Sequence, residues 1–203
     1  MKIENIKYNE KKSIFDIKIE DEKYMISYEL YDKLNLTKDM EVSEELFKEI
    51  LSENNYQIAK KIAENYINYK ARTEYETRRK IQNKIIDKNV EDRVIDYYKK
   101  LNLLDDYRYA KDYIEYLLNI KNSSISYVKF KLNSKGIKSN IYNPLIEIID
   151  KDIEFKNIKI LYEKKYKNKK VSDYTEKQKI FRYFAGKGFK FDDINRVLGE
   201  FND

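Results

Sequence analysis

The chain has no cysteine and no histidine among its 203 residues, four glycines and a single proline. Without cysteine there is no disulfide and no thiolate chemistry, which fits a reducing compartment such as the cytoplasm. Without histidine, metal centres built on imidazole and catalytic triads that use it as a base are excluded. The glycines form neither a phosphate-binding loop nor a dinucleotide fingerprint. No apolar run approaches the ~18 residues that span a bilayer, and Met1-Lys2-Ile3-Glu4 does not open like a signal peptide, so no membrane partner is expected.

Charge is what the chain does have: 38% of residues are charged and 41% apolar, the balance of a charged but folded protein. Lysine outnumbers arginine 35 to 7, and Ile, Asn and Tyr are abundant. All four share A/T-rich codons, so the 20 tyrosines read as compositional bias before they read as base-stacking platforms. The net charge of +6 is unevenly spread. Residues 1–54 carry 9 Lys against 14 Asp and Glu, whereas residues 55–203 carry 33 Lys and Arg against 22. That shift marks a domain boundary and makes the second part attractive to a polyanion.

The first segment has the period of strands. Phe15, Ile17 and Ile19 alternate with Asp16, Lys18 and Glu20, between Ile6 and Tyr8 on one side and Tyr24-Met25-Ile26 on the other. The pattern predicts a three-stranded meander over residues 2–28 and then two short helices, the second capped by Ser43 ahead of Leu46, Phe47, Ile50 and Leu51. Residues 1–54 are thus expected to form a small α+β module.

From residue 56 the chain repeats itself with helical periodicity. A shift of 51 positions lays Ala59 on Ala110, Thr73 on Ser124, Ile81 on Leu132 and Val94-Ile95 on Leu145-Ile146 without a gap. A third copy places Leu161 51 residues beyond Ala110 and repeats the later part with one residue inserted. Each copy reads as three short helices. Thr73-Glu74-Tyr75-Glu76 spells a capping box at the first middle helix, and Thr175-Glu176-Lys177-Gln178 would repeat it. Gly136 and Gly188 occupy the position just past the middle helices of copies two and three. Pro144 falls within about a turn of a helix start, where its missing N–H is tolerated. The expected fold is mainly α: three tandem three-helix repeats at 55–104, 105–154 and 155–203, forming an elongated curved array behind the α+β module. Such an array presents surface to an extended partner, whereas an enzyme needs one pocket.

Three motifs in this stretch carry a resemblance. Leu104-Asp105-Asp106-Tyr107-Arg108-Tyr109-Ala110 is similar to the L-D-D-x-R-[FY]-A signature of RecX regulatory proteins. Residues Arg72 to Ile81 resemble that family's R-S-x-x-E-[LV]-x-x-K-L helix, with Thr77 where an aliphatic residue is usual. Residues Lys177 to Phe189 resemble its closing K-x-x-x-x-L-x-R-[RK]-G-F motif. The resemblance implies a non-enzymatic modulator, with no cofactor, that binds the RecA recombinase filament on single-stranded DNA. Such a modulator restrains filament growth, ATP hydrolysis, strand exchange and co-protease activity in homologous recombination, DNA repair and the SOS response. A monomer is expected.

Basic residues recur on the middle helix of each copy. The candidate face comprises Arg72, Arg78, Arg79 and Lys84, then Lys129, Lys131 and Lys135, then Lys179, Arg182 and Lys187, with Lys80, Lys138, Lys177 and Lys190 nearby. Cations late in a helix also complement its dipole, so a solvated face stands beside the functional interpretation. The run Lys164 to Lys170 is expected as a loop between helices. The pairs Asp105-Asp106 and Asp192-Asp193 stand at helix starts and read as caps, not as metal-binding carboxylates. Asp105, Asp106, Arg108, Ala110, Gly188 and Phe189 are expected to be structural. The alternative function is a stand-alone nucleic-acid-binding protein that contacts phosphates without reading sequence.

Overall fold

The computed structural model describes residues 1–166 and 173–200. The protein is mainly α-helical, with one three-stranded antiparallel sheet at its amino end, and divides into two compact units between Leu104 and Asp105. Among the described residues no helix is long and apolar enough to cross a membrane.

The first unit opens with the meander β1 (Ile3–Asn9), β2 (Ile14–Ile19) and β3 (Glu22–Ser27), paired in that order. Ile17 and Ile19 point inward, and Ile17 lies opposite Ile6 and Tyr24 in the register. Glu20 and Asp21, both left-handed, make the tight turn into β3, and Lys18 ties Asp21 to Glu4 at 2.6 and 2.7 Å. Ser27 caps α1 (Tyr28–Leu34) and Ser43 caps α2 (Glu44–Tyr69), its hydroxyl accepting from the Leu46 N–H at 3.2 Å.

The second short helix and the first repeat helix expected on either side of residue 54 are one helix of 26 residues. Two polar residues at the expected boundary, Glu53 and Asn54, are buried and bonded within the unit. Asn54 accepts the Met25 N–H of β3 at 2.9 Å, and Glu53 takes Arg93 and Gln57, each at 2.8 Å. Ile50 on the first half of α2 belongs to the sheet core, with Ile3, Ile26 and Leu36. Ala59, Ala63 and Ile67 on the second half join a different core, closed by α3 (Glu74–Gln82) and α4 (Lys88–Lys100) through Ile81, Val90, Val94 and Tyr98.

The second unit has six α-helices among its described residues. α5 (Asp106–Glu115) continues into a π-helical turn (Tyr116–Ile120), and α6 (Ile125–Ser134) and α7 (Ser139–Glu147) close a core around Ala110, Val128, Leu132 and Tyr142. α8 (Ile153–Tyr166), α9 (Tyr174–Gly186) and α10 (Phe191–Glu200) enclose another around Ile158, Phe184, Ile194 and Val197. Ile81, Leu132 and Phe184, aligned by the repeat, are each fully buried. α6 and α9 end alike. The Gly136 and Gly188 N–H groups reach the carbonyls of Asn133 and Ala185 at 2.9 Å, and Ile137 and Phe189 reach those of Leu132 and Phe184. Both glycines have positive φ, 74° and 82°, so each helix closes in a Schellman motif.

Four details differ from the sequence expectation. Leu161 is half-buried, and Ile158 occupies the deep position of α8. α9 begins at Tyr174 after Asp173, so Thr175 lies inside the first turn and forms no capping box there. Pro144 is the sixth residue of α7, not in its first turn; it removes one backbone donor from a short helix and faces solvent, where water can reach the freed carbonyl. Lys164, Lys165 and Tyr166 are the last turn of α8 rather than a loop, and Lys167 to Lys170 lie outside the described residues.

α6 begins against α8 and the α9–α10 turn. Ser124 caps α6 by accepting the Tyr127 N–H at 3.1 Å, and its own hydroxyl donates to the Lys187 carbonyl at 2.7 Å. Glu154 of α8 accepts the Ile125 N–H at 3.0 Å, and Asn157 donates to the carbonyls of Leu118 and Ser123 at 3.0 and 3.1 Å. A Cβ on Gly188 would stand 3.1 Å from both Ser124 Oγ and Ser126 Cβ. Gly188→Ala therefore combines a disfavoured φ with a close approach and should lower urea stability by about 1–3 kcal/mol. Gly186→Ala, whose new methyl meets nothing within 4 Å inside a helix, should be neutral or stabilising by up to about 1 kcal/mol. Equal midpoints for the two variants would contradict this account of the joint.

Candidate partner-binding surface

In the first unit the candidate cations sit on α3 and just outside its two ends, Arg72 before it and Lys84 after it. Its capping box forms as the sequence spells it: the Glu76 N–H reaches Thr73 Oγ1 at 3.1 Å and the Thr73 N–H reaches Glu76 Oε2 at 3.2 Å. Thr77, in place of an aliphatic residue, is buried and returns its hydroxyl to the Thr73 carbonyl at 2.9 Å. This anchoring faces Arg79 and Lys84 to solvent. Arg72 lies instead 3.8 Å above the Tyr66 ring, half-buried, and donates to the Tyr66 carbonyl at 3.4 Å.

Arg78 is committed inside the unit. It pairs with Glu74 at 3.1 Å and with Asp92 of α4 at 2.6 Å, while Lys99 shares Glu74 at 3.1 Å. Burial works against the Arg78 charge, but hydrogen bonds to Asp92 and Glu74 outweigh it and hold the guanidinium above its ordinary value. Burial likewise pushes the Glu74 carboxyl up, and bonds from Lys99 and Arg78 more than reverse this, leaving it below the usual glutamate range. The Glu74–Arg78 spacing of four residues was legible in the sequence. The contribution of Asp92 was not, because it depends on how α4 packs against α3.

In the second unit Lys129, Lys179 and Arg182 are exposed, and Lys131 and Lys135 are half-buried. Lys190 lies 3.4 Å from Glu154, which gives that buried carboxylate an ionic partner beyond its one hydrogen bond. Lys131 and the exposed Lys187 are brought together around a cleft of about 510 Å³, formed where the π-helical turn and α6 face α8 and the end of α9. Lys121 and three tyrosines, 113, 116 and 127, line the same cleft, and none of these was singled out from the sequence. Lys179 and Arg182 do not line it.

The signature residues fall in different settings. Asp105 caps α5 by accepting the Arg108 N–H at 2.9 Å, Ala110 and Phe189 are buried, and Arg108 is exposed. Asp192 and Asp193 stand in the first turn of α10, where carboxylates complement the helix dipole.

Known proteins resemble this chain over its whole length. The family described as "RecX, third three-helix domain" matches residues 152–198. The regulatory protein RecX of Finegoldia magna is 32% identical over 203 residues, covering 98% of this chain and 99% of that protein. The regulatory protein RecX of Clostridioides difficile is 33% identical over 183 residues, covering 89% and 86%. A crystal structure of a regulatory protein RecX superposes with a TM-score of 0.76 at 18% identity, covering 98% of both chains, which is a likeness of fold.

The two neighbouring arginines of α3 should respond differently to charge reversal. Arg78→Glu would set a third carboxylate against Glu74 and Asp92 and should lower stability by about 1–3 kcal/mol, whereas Arg79→Glu should stay within about 0.5 kcal/mol of the parent. Acid should also separate Glu74→Gln from the parent. Because the folded-state value of Glu74 is depressed, its contribution is complete above the unfolded value near ~4.3 and is lost as pH falls through the folded one. Urea midpoints of the parent should therefore drop more steeply below that value than those of Glu74→Gln. Parallel acid limbs would remove Glu74 from the network.

Proposed function

The chain belongs to the RecX family, regulatory proteins and not enzymes, and from that premise we propose that it binds the RecA filament on single-stranded DNA and restrains it. It lowers filament growth, ATP hydrolysis, strand exchange and co-protease activity, and so limits recombinational repair and the SOS response. The observation that carries this reading is the end-to-end relation to RecX proteins, which spans the amino-terminal module as well as the helical repeats. The working parts are three modules, 55–104, 105–154 and 155–203, acting as a monomer in the cytoplasm. Contact with the filament falls to the exposed candidate cations outside the cleft, Arg79, Lys84, Lys129, Lys179 and Arg182. Arg78 and Arg72 serve the first unit's own packing. Contact with bare single-stranded DNA is weak, tolerant of sequence and steeply dependent on salt.

RecA ATPase on single-stranded DNA, titrated with this protein at fixed DNA, tests the proposal. Inhibition should be complete at or below one protein per RecA, long before the DNA is coated. Inhibition that appears only when the DNA is saturated would favour the stand-alone nucleic-acid-binding alternative. Glutamate at these five positions together should raise the half-inhibitory concentration about tenfold or more with the helical spectrum unchanged, since rim charges govern encounter and specificity.

A further inference from the structure

The cleft of the second unit has a composition unlike the open basic faces around it. Three lysines line it, Lys121, Lys131 and Lys187, and among the described residues no acidic one does. Between them stand the rings of Tyr113, Tyr116 and Tyr127, with Tyr116 and Tyr127 about 40% exposed. Tyr113 and Tyr116 lie nearly parallel, 14° apart, with centroids at 6.3 Å. In the cleft Lys121 stands 5.5 Å from the Tyr116 ring centroid and Lys131 5.3 Å from that of Tyr127. Both tyrosines keep exposed ring surface for a planar group to lie against.

The backbone builds this arrangement deliberately. The π-helical turn, closed by the Lys121 N–H on the Tyr116 carbonyl at 3.1 Å, widens the end of α5 and places Tyr116 and Lys121 on one wall. Asn122 follows in a left-handed conformation, φ 50°, and Asn157 fixes the Leu118 and Ser123 carbonyls behind it. Inserted π turns of this kind often occur at functional sites. The Asn122 amide and Ser123 hydroxyl line the cleft and make no side-chain hydrogen bond among the described residues. Flat aromatic faces, point charges of one sign and a few free polar groups, in a volume of about 510 Å³, match one ligand chemistry.

We propose that this cleft binds a nucleotide, its base against Tyr116 and Tyr127 and its phosphate among Lys121, Lys131 and Lys187. The nucleotide is either free or one unit of a single strand, and the chemistry of capture is the same. This goes beyond attraction to phosphate, because it assigns affinity to the base. It does not depend on RecA, so it stands or falls separately from the ATPase titration.

The test uses the full chain at fixed salt, with an oligothymidylate of about 15 nucleotides and an abasic strand of equal phosphate number. The base-bearing strand should bind at least about fivefold more tightly. The Tyr116→Ala/Tyr127→Ala double variant should lose that preference, while Tyr174→Ala, altered at a ring 75% exposed outside the cleft, should keep it. Thymidine 5′-monophosphate and inorganic phosphate serve as competitors. Competition by the mononucleotide alone, lost in the double variant, identifies a free nucleotide as ligand. Base preference without such competition identifies the strand. Equal binding of the two strands without competition by the mononucleotide, competition by phosphate as strong as by the mononucleotide, or a helical double variant that keeps full preference would each overturn the proposal.

Discussion

The amino end of α6 is a helix terminus turned inward, and its N–H groups dictate what the neighbouring helices must supply. Ser124 takes one, Glu154 takes another, and the Ser124 hydroxyl closes the circuit on the Lys187 carbonyl. Any of these groups left unpaired when buried would cost about 1–3 kcal/mol, comparable to deleting a core methyl or two. The buried carboxylate is tolerable there because a helix amino end favours negative charge and Lys190 lies close by. The joint between α6 and the α8–α10 helices thus rests on polar geometry as much as on apolar contact. It also accounts for Gly188, the one position where both the φ and the approach of Ser124 require glycine.

Much of the fold was legible before any coordinates. The strand alternation at Phe15–Ile19, the Ser43, Thr73 and Asp105 caps and the two glycine helix ends stand where residue chemistry places them. What was not legible has a common cause. The charge shift at residue 54 marked a boundary inside what is one helix, because the partners of Glu53 and Asn54, Arg93 and the Met25 N–H, lie far off in sequence. Thr175 spells half of a capping box, yet Asp173 starts the helix earlier. Leu161 aligns with Ala110 in register, but α8 turns Ile158 to the core. Local spelling fixes caps and periods; which polar group is buried depends on what packs against it.

The candidate surface shows the same division. Counting cations along α3 treats Arg78 and Arg79 alike, although one is enclosed by two carboxylates and its neighbour faces water. Reading the tyrosines as compositional bias treats all 20 alike. It overlooked that three of them converge with three lysines through a widened helical turn, which no periodicity announces.

The fused helix α2 carries a further consequence. Each residue added to an α-helix rotates everything beyond it by ~100°. Ile50 faces the sheet core and Ala59 the helical core of the same unit, so the two faces are held in phase by the residues between them. Inserting or deleting one residue there would swing an apolar stripe out of its core and bring a charged one in. Insertions of about seven residues, close to two whole turns, would restore the phase while lengthening the helix. The seam between the sheet and the first helical bundle is therefore strict about length and permissive about surface identity, the reverse of a loop linker.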